Sequence, residues 1–81
     1  MWYIYLLTNQ SNDFRYIGMT SDINKRLKMH NQGKTKSTKS HRPFNKLVII
    51  ATTFSRIEAR KLEKYYKSGI GREVLKERGI A

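Results

Sequence analysis

Residues 2–8, WYIYLLT, and residues 14–19, FRYIGM, flank the stretch NQSND at 9–13. The outer segments are rich in aromatic and β-branched side chains, which suit a pleated, half-buried surface. The middle segment holds side chains that bond back to nearby backbone and so favour turns. The reading is an antiparallel hairpin with a loop of about five or six residues. With Tyr5 set opposite Tyr16, the two-residue period puts Tyr3, Tyr5, Tyr16 and Gly18 on one face. Trp2, Ile4, Leu6, Ile17 and Met19 fall on the other, which reads as the core face. A slip of one residue would exchange the two faces.

Beyond the hairpin, Thr20 or Ser21 is placed to cap a first helix, with Asp22 suiting its positive end. Ile23 and Leu27 form the apolar stripe of that helix. Arg26 and His30, four apart, share the stripe's edge. Asn31 and Gly33 end the helix, and residues 33–45 read as a basic loop. The run KLVIIATT at 46–53 is a third strand, and its continuous apolar character points to a central position. Ser55-Arg56-Ile57-Glu58 has the spacing of a capping box. It opens a second helix that runs to about Ser68, with Gly69 just past its end. REVLKER at 72–78 suggests a short final helix. The expected order is β-β-α-β-α-α, an α+β fold in which a small three-stranded antiparallel sheet is flanked by helices. At 81 residues, the chain has room for one domain, 1–81, and one modest core.

Seventeen Lys and Arg against six Asp and Glu give a net charge of +11. Such an excess favours a polyanionic partner, nucleic acid before an anionic membrane. From Asn24 to Lys46 the basic residues are Lys25, Arg26, Lys28, Lys34, Lys36, Lys39, Arg42 and Lys46, with no acid among them. Phosphates are expected to be met mainly there, with His41 in the same loop. The absence of cysteine excludes disulfides and Cys-based metal sites. The start of the chain does not read as a secretory signal and no stretch is long enough to span a membrane, so the expected location is the cytoplasm.

One acid does not fit its surroundings. Ala59, Leu62 and Tyr66 make one apolar stripe on the second helix, and Glu63 falls on it. A carboxylate near an apolar face is costly unless it is paired or bound to a metal. A salt bridge to a nearby Lys or Arg would satisfy it. So would a magnesium ion, which takes one or two protein carboxylates and draws the rest of its shell from water and phosphate.

Tyr3-Ile4-Tyr5, Tyr16-Ile17-Gly18, Arg26 and His30 on one helix and Glu63 on a later one together resemble the signature of the GIY-YIG endonucleases. The likeness runs from Trp2 to about Gly71 and is nearest to the small single-domain bacterial members. No one tripeptide is specific, but five elements in order carry weight together. The resemblance implies that Tyr5 and Tyr16 are the motif tyrosines and that Arg26 holds the scissile phosphate. It further makes Glu63 the ligand of Mg²⁺ or Mn²⁺, and His30 an auxiliary polar group beside the substrate. The glycine that opens the first tripeptide in the family is Tyr3 here. The asparagine that often follows the glutamate helix has no evident counterpart; Lys67 and Ser68 occupy that region.

Hydrolysis of a phosphodiester needs an activated water, stabilisation of charge on the phosphoryl oxygens and help for the leaving oxygen. The guanidinium of Arg26 matches phosphate geometry, and a Tyr5 phenolate could act as general base, with the roles of Tyr5 and Tyr16 open to exchange. The expected function is a divalent-metal-dependent DNA endonuclease, structure-specific or linked to DNA repair, with a protein partner as one possible source of specificity. The competing expectation is a DNA- or RNA-binding module that keeps the fold without cutting.

Overall fold

A computed structural model describes residues 1–80. Three strands, β1 (Trp2–Asn9), β2 (Arg15–Thr20) and β3 (Phe44–Thr53), form an antiparallel sheet in the order β2-β1-β3. Three helices accompany it, α1 (Ile23–Asn31), α2 (Arg56–Lys67) and α3 (Gly69–Glu77). The element order is the expected β-β-α-β-α-α, and the expected α+β fold is present.

The central strand is β1, not β3. Every residue of β1 from Ile4 to Asn9 is buried, because helices cover both faces of the sheet. On one side Ile4, Leu6 and Ile17 pack with Ala59 and Tyr66 of α2 and Leu75 of α3. On the other, Tyr5, Leu7 and Phe44 pack with Ile23 and Leu27 of α1. The apolar run in β3 misled because a central strand and an apolar edge strand read alike; Val48 and Ile49 of β3 are in fact exposed.

The hairpin register also differs from expectation. Tyr5 lies opposite Gly18, and Tyr16 lies opposite Leu7. The difference is two residues, one full pleat period, so each side chain keeps its expected face. The turn is organised by Asn9, whose Oδ1 accepts from the backbone N–H groups of Asp13 and Phe14 at 3.1 Å each.

Asp22, rather than Thr20 or Ser21, caps α1, its carboxylate accepting from the Lys25 N–H. Ser55 caps α2 by accepting from the Glu58 N–H. Ser68 ends α2 in an extended conformation and caps α3 through Gly71, so Gly69 opens the last helix instead of trailing the one before. Gly71 is what lets α3 fold back on α2. A Cβ there would overlap the Tyr65 carbonyl and lie 2.6 Å from Tyr66 Cα. The basic loop contains one 3₁₀ turn, Lys39–His41. Asn31 fastens its far end, donating to the Phe44 carbonyl at 3.0 Å and accepting from the Phe44 N–H at 2.7 Å. Among the described residues, no helix is long and apolar enough to cross a membrane.

Candidate active site

Four of the predicted residues converge on the sheet face that α1 covers. Tyr5 comes from the central strand, Tyr16 from β2, and Arg26 and His30 from the edge of α1. The Tyr5 and Tyr16 rings lie 6.4 Å apart, and His30 stands edge-on to both, at 5.9 and 5.2 Å between centroids. Gly18 makes the cluster possible. A Cβ there would lie 2.5 Å from Tyr5 Oη and 2.9 Å from Tyr16 Cε1, so the phenols occupy the space a side chain would need.

The hydrogen bonds form a directed chain. Arg26 Nε donates to Tyr5 Oη at 3.3 Å. Tyr5 Oη and His30 Nε2 are 2.9 Å apart, and His30 Nδ1 is 2.8 Å from Thr38 Oγ1. The Thr38 hydroxyl donates to the Thr35 carbonyl at 3.3 Å, so Thr38 Oγ1 is left to accept from His30 Nδ1–H. The imidazole then presents a bare Nε2 to Tyr5, and Tyr5 donates to it. Charge states agree with this order. Burial pushes the Tyr5 phenol up to about 12, although Arg26 pulls the other way. Burial first, and the Arg26 charge second, push the His30 imidazole down to about 4. Both groups are neutral at physiological pH.

Glu63 reaches the same region from α2, near enough for its charge to oppose ionisation of Tyr5. It is the one buried acid among the described residues. The salt-bridge account of it has support in the geometry. Its Oε1 lies 3.3 Å from Arg60 Nη1 and its Oε2 3.4 Å from Lys67 Nζ. Lys67 also stands over the Tyr16 ring at 5.4 Å. The two cations lie on the solvent side, with 66% and 45% of their side-chain surface exposed. No three His, Cys, Asp or Glu among the described residues gather as a metal cage. A single carboxylate fits an ion that keeps its waters and takes oxygens from a bound phosphate, and does not fit an ion that needs a full set of protein ligands.

The remaining predicted residues lie outside this cluster. Lys25, Lys34, Lys36 and Lys39 are exposed. His41 stacks flat on Phe14, with centroids 3.7 Å apart and planes 2° from parallel. Arg42 donates to the Lys39 carbonyl and covers Gly33, where it braces the loop. Thr38 was missed by sequence reading, since nothing in a run of Lys, Ser and Thr marks which hydroxyl turns inward to a histidine eight residues before it.

Comparison with known proteins gives a consistent picture. A family model described as the GIY-YIG catalytic domain matches residues 1–73. The chain is 40% identical over 67 residues to the UPF0213 protein YazA of Bacillus subtilis (strain 168), a match that covers 80% of this chain. The chain spans about 65% of that relative's length. No solved structure matches.

Proposed function

The chain belongs to the GIY-YIG family, a nuclease family, and from that premise we propose that it is a divalent-metal-dependent endonuclease that hydrolyses phosphodiester bonds in DNA. The observation that carries this reading is the chain from Arg26 through Tyr5 to His30, with Glu63 beside it.

In the proposed mechanism, Arg26 holds the scissile phosphate with its guanidinium fork and offsets the charge that develops on the phosphoryl oxygens. Drawing Arg26 toward phosphate loosens its bond to Tyr5 and opens that oxygen to water. Tyr5 Oη then accepts a proton from the attacking water while its own proton passes to His30 Nε2. Thr38 holds the imidazole in the tautomer that can receive it. Tyr16, partly exposed at the rim, hydrogen-bonds the substrate or the water. Glu63 would hold a divalent ion such as Mg²⁺ or Mn²⁺, whose charge would polarise the phosphate and stabilise the departing 3′ oxygen. The base is formed only with substrate in place, because the free protein keeps Tyr5 buried and neutral. The proposal extends to DNA-repair processing, with a partner protein supplying the target.

A non-catalytic nucleic-acid-binding role is the second reading. It is favoured by the full burial of Tyr5 and by the pairing of both Glu63 oxygens with cations. Incubation with supercoiled plasmid, with Mg²⁺ or Mn²⁺ or with chelator, separates the two. Metal-dependent nicking that is lost in Glu63→Gln supports the nuclease. Retained binding with no nicking on plasmid, branched or single-stranded DNA supports the module.

A further inference from the structure

Phe54 stands at the junction of β3 and α2, one residue before the capping Ser55. An apolar residue at that position commonly packs on the fourth residue of the helix and fixes the entry of the chain. The fourth residue is Ala59, fully buried against the sheet, whereas Phe54 is 86% exposed, so Phe54 does not bury itself there. Ile57, on the first turn of α2, is 70% exposed. The buried residues of α2 are Ala59, Glu63 and Tyr66. At about 100° per residue, Ile57 lies opposite them, on the outermost line of the helix. Lys61 and Lys64 continue that line in steps of four and three, and Arg56 and Arg60 flank it; all four cations are exposed. Glu58 is the one exposed acid of α2, and its pair with Lys61 at 3.7 Å lies in solvent. Lys64 forms no ion pair among the described residues.

Two large apolar side chains flanked by cations thus serve neither the core nor the catalytic cluster. We infer that this face of α2 docks an acidic, amphipathic helical segment of a partner protein, with its apolar side chains on Phe54 and Ile57 and its carboxylates on Lys61 and Lys64. Charge chooses the occupant. At +11, a second copy of the chain is repelled, whereas an acidic segment is drawn in. Apolar anchors inside a charged rim are the way protein interfaces are built. Nucleic acid fits less well, since base faces stack on aromatic rings and one of the two anchors is aliphatic. A membrane surface needs a continuous apolar helix face, and beyond Ile57 the outer line of α2 is charged. The buried residues of α2 include Glu63, so a partner on the opposite line leaves the catalytic cluster uncovered. This surface goes beyond the nuclease reading and does not rest on it.

The test is titration with a short helical peptide of glutamate that carries leucine at every third or fourth position. Binding is followed by anisotropy of a label on the peptide and by fluorescence of Trp2, the chain's single tryptophan, whose ring lies 5.7 Å from the Arg56 guanidinium. Control peptides carry glutamine in place of leucine, or lysine in place of glutamate. Phe54→Ser/Ile57→Ser and Lys61→Ala/Lys64→Ala alter exposed side chains, and circular dichroism checks that each variant folds. The glutamate–leucine peptide should bind more tightly than either control. Each variant should weaken it by at least about tenfold, as loss of interface anchors does. Duplex DNA binding by Phe54→Ser/Ile57→Ser should stay at the wild-type level. A peptide held no tighter than its glutamine control, or held equally by the variants, would overturn the inference. So would an equal loss on duplex DNA, which assigns the face to nucleic acid, or the same dependence on phosphatidylglycerol vesicles, which assigns it to lipid. All binding is read with chelator present, so plasmid nicking decides the nuclease reading separately and neither result carries the other.

Discussion

Gly18→Ala probes the geometry of the cluster without removing any functional group. The added Cβ would sit 2.5 Å from Tyr5 Oη, 2.7 Å from Tyr5 Cζ and 2.9 Å from Tyr16 Cε1. Ordinary contact begins at 3.4 Å, so the Tyr5 ring tip must retreat by roughly 0.9 Å. Tyr5 is fully buried and cannot swing into solvent. Moving that far stretches or breaks the bonds to Arg26 and His30, now 3.3 and 2.9 Å. Overpacking of this kind costs about 1–3 kcal/mol. For a domain of this size, a midpoint cost near 2 kcal/mol lowers Tm by roughly 10 °C. Displacement by about 1 Å of a group that positions the reaction should lower turnover on the order of a hundredfold. Urea denaturation and plasmid nicking measure the two effects. Tyr5→Phe removes the atom nearest the new Cβ, so the double variant should lose less stability than the two single changes added together. Gly18→Ala with wild-type Tm and wild-type nicking would refute the claim that the missing side chain makes room for Tyr5.

Arg26→Ala should reduce turnover far more than affinity, because the guanidinium acts mainly on developing charge; single-turnover nicking beside anisotropy separates the two, and a large affinity loss at normal turnover contradicts it. His30 has its folded-state pKa pushed down to about 4 from the usual value near 6.5, so the unfolded chain takes up the proton first as pH falls. Stability should therefore be full above about pH 6.5 and decline toward pH 4 by roughly 1 kcal/mol per unit, a slope that His30→Asn should remove from a Tm–pH profile. Replacing Lys34, Lys36 and Lys39 together by alanine should lower the salt slope of duplex binding by between about 2 and 3; an unchanged slope would take the basic loop out of the substrate path. Gly71→Ala should destabilise the fold without a specific effect on turnover, since it forces α3 off α2; equal Tm for variant and wild type would contradict the close helix approach.

Local periodicity determined much of this protein. The hairpin faces, the apolar stripes of α1 and α2 and the placement of Arg26 four before His30 all follow from how side chains repeat along a strand or a helix. Glu63 was legible as an anomaly because a charge on an apolar stripe breaks the pattern that its neighbours set. Other features depend on which surfaces meet. The central place of β1 comes from helices covering both faces, and an apolar run alone cannot tell a covered strand from an edge strand such as β3. The pairing of Tyr5 with Gly18 depends on turn length, which shifts register by whole pleats without altering either strand's own pattern. Thr38 was invisible for a related reason: its partner is brought to it by the path of a loop that has no period. Repeats within an element are written in the chain, whereas the charge states of Tyr5 and His30 arise from burial between elements, which exists only once the fold has closed around them.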